Sequence, residues 1–133
     1  MTATLPYLQA APATISFAPG AYVRLEWQPY VASAQELKAV YDHVLRAMMR
    51  HGLRSLMSIH NQRPPMPPEV QIWLTGTWIP SAMSETNYCR CAIVEAATPL
   101  GRLAARGVAA GLSPGLDYRY FRTEAEAQAW LLA

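Results

Sequence analysis

Tyr118 Arg119 Tyr120 Phe121 Arg122 Thr123 Glu124 Ala125 Glu126 Ala127 Gln128 Ala129 Trp130 Leu131 passes from an aromatic, alternating stretch straight into a helix start. Thr123 and Glu126 have the spacing of a capping box, in which side chains satisfy the free N–H groups of a first helical turn. Ala127, Trp130 and Leu131 then fall on one apolar stripe. The order is strand, then capped helix, with no loop between them. The same order recurs upstream, and it predicts an alternating α/β domain.

Working back from that end, Thr98 with Pro99 opens a predicted helix carrying Leu100, Leu103, Ala104 and Val108, which Gly111 stops. Tyr88 to Ala96 is apolar on both faces apart from Arg90, as expected of a central strand covered on two sides. Val70, Trp73, Leu74 and Thr77 share a helical face that Pro80 should end, after the proline-rich run Pro64 Pro65 Met66 Pro67 Pro68. Leu53 to Ile59 reads as a second central strand. Ser33 with Glu36 is another capping box, followed by Leu37, Val40, Tyr41, Val44, Leu45 and Met48 at helical spacing up to Gly52. Ile15 to Phe17 and Tyr22 to Trp27 alternate around Pro19 Gly20 and predict a β-hairpin. Tyr22, Arg24 and Glu26 share the face opposite Val23, Leu25 and Trp27. Residues 1 to 13 read as an irregular leader, so the folded domain spans 14 to 133. The expectation is a single α/β domain with a mixed four- to five-stranded sheet, an N-terminal hairpin and about four helices.

The 133-residue chain carries a formal charge of +2, with 11 Lys and Arg residues spread along it. Lys38 is the sole lysine and no basic block occurs, so neither nucleic acid nor a polybasic membrane contact is expected. No stretch approaches the roughly 18 apolar residues of a membrane span. The N-terminus lacks the basic and apolar regions of a signal peptide. A cytoplasmic location follows as the expectation, with Cys89 and Cys91 reduced.

Taken together, Tyr22 to Trp27 before the first long helix, Leu53 to Ile59 after it and the terminal run Phe121 to Leu131 resemble the STAS family. This is the anti-sigma-factor-antagonist fold, and the likeness is to its bacterial SpoIIAA-like (STAS/SEC14-like) members. The resemblance covers about residues 15 to 133 at the level of topology. It implies a regulatory or protein-interaction module. In that family, phosphorylation of a Ser or Thr at the start of the helix after the third strand releases a partner. This chain departs from the pattern: between Ser58 and Thr75 there is no Ser or Thr. The wider group also includes lipid-carrier-like members.

Ligands of open α/β sheets bind beyond the carboxyl ends of the parallel strands. That directs attention to His60, Asn61, Gln62 and Arg63, whose titratable, amide and cationic groups suit an anion or carboxylate. The plainer reading is a polar loop capping the next helix. Cys89 and Cys91 lie two apart on a strand, but two thiolates are not a metal site, and buried small hydrophobes are the expectation. No phosphate loop, dinucleotide fingerprint or nucleophile elbow occurs, no carboxylate pair is placed for acid–base work, and no metal or cofactor is expected. The region 66 to 83 is unusually apolar: Met66, Ile72, Trp73, Leu74, Trp78, Ile79 and Met83 exceed what one sheet-facing stripe needs. Either this helix is simply deep, or Trp73 and Trp78 belong to a dimer contact or a lid over an apolar pocket. Two functions follow. The first is a non-enzymatic STAS-type interaction module, homodimeric or bound to a partner protein. The alternative is a carrier or sensor for an apolar or carboxylate-bearing small molecule, using His60, Asn61 and Arg63 beside the 66 to 83 helix. An enzyme ranks behind both.

Overall fold

In the computed structural model, residues 3–60, 63–95 and 115–133 are described. Six strands form one sheet: β1 (Leu5–Gln9), β2 (Ala13–Ala18), β3 (Tyr22–Trp27), β4 (Ser55–Ile59), β5 (Arg90–Val94) and β6 (Asp117–Phe121). Each strand lies beside its predecessor, in the order β1-β2-β3-β4-β5-β6. The β1–β2 and β2–β3 pairs are antiparallel, and β3 to β6 are parallel. The sheet is mixed, as expected, but among the described residues it has six strands where four or five were expected. The addition is β1, which falls within the stretch read as an irregular leader. It is short, carries Pro6, and shifts register between Pro6 and Leu8. An edge strand tolerates both features, and they erase the alternation by which a strand is recognised in sequence.

Among the described residues the helices are α1 (Ala34–His51), the segment α2 (Pro68–Trp73), π turn (Leu74–Trp78) and α3 (Ile79–Thr86), and α4 (Glu124–Leu132). The expected helix from Thr98 to Gly111 lies outside the described residues, so three helical segments stand against the four expected. Both halves of the capping box at the start of α1 are made: Glu36 N–H donates to the Ser33 hydroxyl and Ser33 N–H donates to the Glu36 carboxylate. Gly52 closes α1 in the left-handed region at φ 63°, its N–H donating to the Met48 carbonyl. At the start of α4, Glu126 N–H donates to the Thr123 hydroxyl, which itself donates to the Glu126 carboxylate.

The layers follow from handedness. Parallel strands that advance in one direction through right-handed crossovers place successive helices on the same face. Accordingly α1 and α2–α3 share one core with Val23, Leu25, Trp27, Leu56, Cys91 and Ile93. The opposite face carries Tyr22, Met57, Ile59, Ala92 and Val94, covered by Ala127 and Leu131 of α4. At the edge of this smaller core the Arg24 guanidinium holds Glu124 at 2.6 Å and Glu26 at 3.2 Å. β4 and β5 are internal strands with both faces buried, which accounts for their lack of a polar face.

The helix after the proline-rich loop departs from the regular spacing. Ile79 N–H donates to the Leu74 carbonyl, five residues back, so one extra residue enters the turn. A proline ring in a regular helix strikes the carbonyl four residues earlier, and a widened turn moves that carbonyl aside. The helix therefore runs through Pro80 to Thr86 instead of ending there. The insertion also rotates the apolar face. Val70 and Leu74 are buried as the spacing predicts, but the next inward position is Trp78, while Thr77 faces outward.

Candidate functional site

β3, β4 and α1 deliver their polar groups to one place. Residues of one strand that are two apart share a face, so Ser58 and His60 both point into the larger core, beneath α1 and opposite Trp27. The Trp27 indole N–H donates to Ser58 Oγ at 3.2 Å, and Ser58 Oγ lies 2.7 Å from His60 Nε2. With the Ser58 hydroxyl donating to Nε2, the neutral imidazole carries its proton on Nδ1. That nitrogen is buried and has no hydrogen-bond partner among the described residues. His60 is 5% exposed, and its N–H still pairs with the Val94 carbonyl, so it sits at the end of the ladder and not in an open loop. Burial, with the positive Arg63 nearby as the second cause, holds its pKa well below the usual histidine value. The ring is neutral at physiological pH.

A turn closed by Arg63 N–H donating to the His60 carbonyl brings the Arg63 side chain back over the site. Its guanidinium lies 5.6 Å from the centre of the Trp27 ring and interacts with the Tyr41 hydroxyl. Burial lowers the Arg63 pKa, yet a guanidinium remains charged inside proteins. Among the described residues no carboxylate forms an ion pair with it. Tyr41, fully enclosed, is pushed up to about 12 by burial. Cys91, hydrogen-bonded with Tyr88, is pushed up to about 11 for the same reason, so its thiol is inert near neutrality.

Aromatic rings make the walls. Tyr41 packs against Trp27 at 5.5 Å, Trp78 at 5.1 Å and Trp73 at 6.2 Å, and Trp78 meets Tyr88 at 6.0 Å. The Trp78 indole N–H donates to the Tyr41 carbonyl at 2.8 Å. Trp78, 3% exposed, is therefore a strut of the core and not a surface anchor. Trp73 is half-buried beneath the Lys38 ammonium at 5.7 Å. The apolar surplus of residues 66 to 83 is spent largely on α1. What it leaves outside is Ile72, 72% exposed.

Of the residues singled out from sequence, His60 and Arg63 come together, Trp73 and Trp78 stand on the far side of Tyr41, and Asn61 lies outside the described residues. Ser58, Trp27 and Tyr41 were not anticipated as part of this cluster. The period-two placement of Ser58 with His60 was visible in the chain, whereas the contribution of α1 was not. At the carboxyl edge a small cavity of about 70 Å³ is lined by Tyr30, Val31, Leu37, Arg63 and Met66 among others. Cys89 and Cys91 are both free. Cys89 precedes β5 and is half-buried, so the two thiols occupy different surroundings. Among the described residues no group of three or more His, Cys, Asp or Glu side chains is placed to hold a metal ion, and no helix is long and apolar enough to cross a membrane.

The cluster thus offers a half-buried cation that lines a small opening, and a buried imidazole nitrogen that is unpartnered among the described residues and does not itself line that opening. Comparison of the chain with protein-family models, with curated proteins and with solved structures returned no match.

Proposed function

We propose that this protein is a non-enzymatic, cytoplasmic regulatory module of the STAS type that binds a small carboxylate or similar oxyanion at the carboxyl edge of its parallel strands. The observation that carries this reading is Arg63, a half-buried guanidinium faced by an indole ring and a phenol, with no carboxylate ion pair among the described residues. Drawing a charge partly out of water without a counter-ion is unfavourable, and a bound anion offsets that cost. His60 Nδ1, buried and unpartnered among the described residues, does not line the opening and is not needed by this reading. The size of the cavity sets the ligand class. A water's share of liquid volume is about 30 Å³, so about 70 Å³ suits a carboxylate-sized group, well short of the roughly 300 Å³ at which drug-sized pockets begin. Ser58 and His60 resemble the nucleophile and base of a hydrolase only in their spacing. Both are buried, and among the described residues no carboxylate orients the imidazole in the manner of a triad.

The interaction side of the reading is supported by the rim. Val31, 84% exposed, lines the same cavity, and Ile72 projects from α2. These are the apolar groups that a partner protein or a second copy meets. The STAS assignment itself rests on the order of elements, a single α/β domain with a mixed sheet.

Thermal unfolding at matched ionic strength in acetate, phosphate and chloride tests the ligand, comparing the parent with Arg63→Met. Acetate or phosphate should raise the Tm of the parent as mass action requires and leave the variant unmoved. Equal responses in both proteins, or none in the parent, reject the anion site. Light scattering of Ile72→Asp beside a self-associating parent tests the rim. A strictly monomeric parent removes the homodimer.

A further inference from the structure

Toward the opposite end of α1, the helix, the edge strand β1 and Phe17 of β2 border a groove of about 570 Å³. Its walls are chemically unlike. Tyr7 and Phe17 come from the sheet, while His43, Arg46, Arg50 and His51 come from the C-terminal half of α1. His51 lies flat on Phe17 with ring centres 3.9 Å apart, and Tyr7 meets His51 edge-on at 6.2 Å. The groove thus has an aromatic floor with rings in two orientations. Arg46 and Arg50 are both exposed and stand one turn apart on the same helical face. Among the described residues neither is in an ion pair, and no Asp or Glu lines the groove.

Two exposed guanidiniums a helical turn apart form a fork suited to phosphate oxygens, which arginine holds with paired, charge-assisted hydrogen bonds. A phosphate alone would leave the floor uncovered. Tyr7 and His51, both half-buried above the buried Phe17, offer ring surface to a planar group, and the volume falls within the roughly 300–1,000 Å³ typical of small-molecule sites. We infer that this groove is a second ligand site, distinct from that at Arg63, which takes a phosphate monoester carrying an aromatic ring. The ring packs against Tyr7 and His51, and the phosphate spans Arg46 and Arg50.

Isothermal titration with phenyl phosphate, inorganic phosphate and benzyl alcohol separates the contributions. Phenyl phosphate should bind at least about tenfold more tightly than either fragment, and the doubly substituted Arg46→Gln, Arg50→Gln protein should lose about tenfold or more of that affinity. Both arginines are exposed, so the variant should keep the parent's circular dichroism and Tm. A second variant, Tyr7→Ala, should weaken phenyl phosphate and leave inorganic phosphate unaffected. Arg63→Met should leave phenyl phosphate binding intact, so failure at either site is told apart from failure at the other. Equal affinity for phenyl phosphate and inorganic phosphate reduces the groove to non-specific charge and overturns the inference. Unchanged binding in the double variant, or no heat up to about 10 mM ligand, does the same.

Discussion

The two ends of α1 both gather basic and aromatic side chains, and they use them in opposite ways. Near its first turns Tyr41 is sealed among Trp27, Trp73 and Trp78, and Arg63 is drawn in over the Trp27 ring. Near its last turns Arg46 and Arg50 stand in solvent beside Tyr7 and Phe17. The first arrangement makes charge expensive and therefore selective, because desolvation must be offset by something of opposite sign. The second leaves charge cheap and screened, and any selectivity there comes from the ring floor. What separates them is cover: α2, the π turn and α3 close over one end, while β1 and Phe17 of β2 border the other.

The largest effect expected from this contrast is at Trp78. Trp78→Ala removes the strut between Tyr41 and Tyr88 and should cost about 3–5 kcal/mol, whereas Ile72→Ser on the same helical segment should stay within about 0.5 kcal/mol. Urea unfolding of both variants is the measurement, and similar losses would abolish the distinction between strut and surface. Next comes Ser58→Ala, which strips the Trp27 indole N–H and His60 Nε2 of their shared partner. Leaving buried polar groups unpaired costs about 1–3 kcal/mol. A neutral outcome would mean that the network contributes nothing to the closed end.

Acid sharpens the comparison further. The folded state holds the His60 pKa well below its ordinary value, so below about pH 6.5 the unfolded chain binds a proton that the folded chain resists. The resulting stability is complete above that pH and is lost as the pH falls toward the folded-state value. Tm should therefore decline between about pH 7 and 5, before most carboxylates titrate, and His60→Gln should flatten the decline. A parent and a variant with identical slopes would place the titration elsewhere. The smallest effect belongs to the open end: Arg46→Gln and Arg50→Gln should each shift unfolding by no more than about 0.5 kcal/mol. A larger loss in either would show that the groove is structural.

Much of the fold was legible because it is written in local patterns. The capping residues Ser33 and Thr123, the stop at Gly52 and the two-sided apolar runs of β4 and β5 each act over a few residues, and each stands where its chemistry places it. β1 was missed because an edge strand with a proline and an irregular register carries almost no period-two signal. Thr77 was expected inside and Trp78 could not be assigned to core or surface for one reason. A single residue added at the π turn shifts everything beyond it by about a third of a helical turn, and hydrogen-bond registry of that kind is not encoded in hydrophobic spacing. His60 and Arg63 could be named as neighbours on a loop, but their burial could not, since the cover over them comes from α1.

The sequence by itself determined where strands and helices begin and end in most of the chain, because caps, breakers and periodicity are settled by residues within a turn of one another. It also determined that His60 would lie at the carboxyl end of a parallel strand. Only the tertiary structure decided that this histidine is enclosed and neutral, that Arg63 lies against Trp27 and Tyr41, and that Arg46 and Arg50 remain in water. Those outcomes depend on which surfaces remote segments cover, and the energy of a charge is set by that cover far more than by its neighbours in the chain.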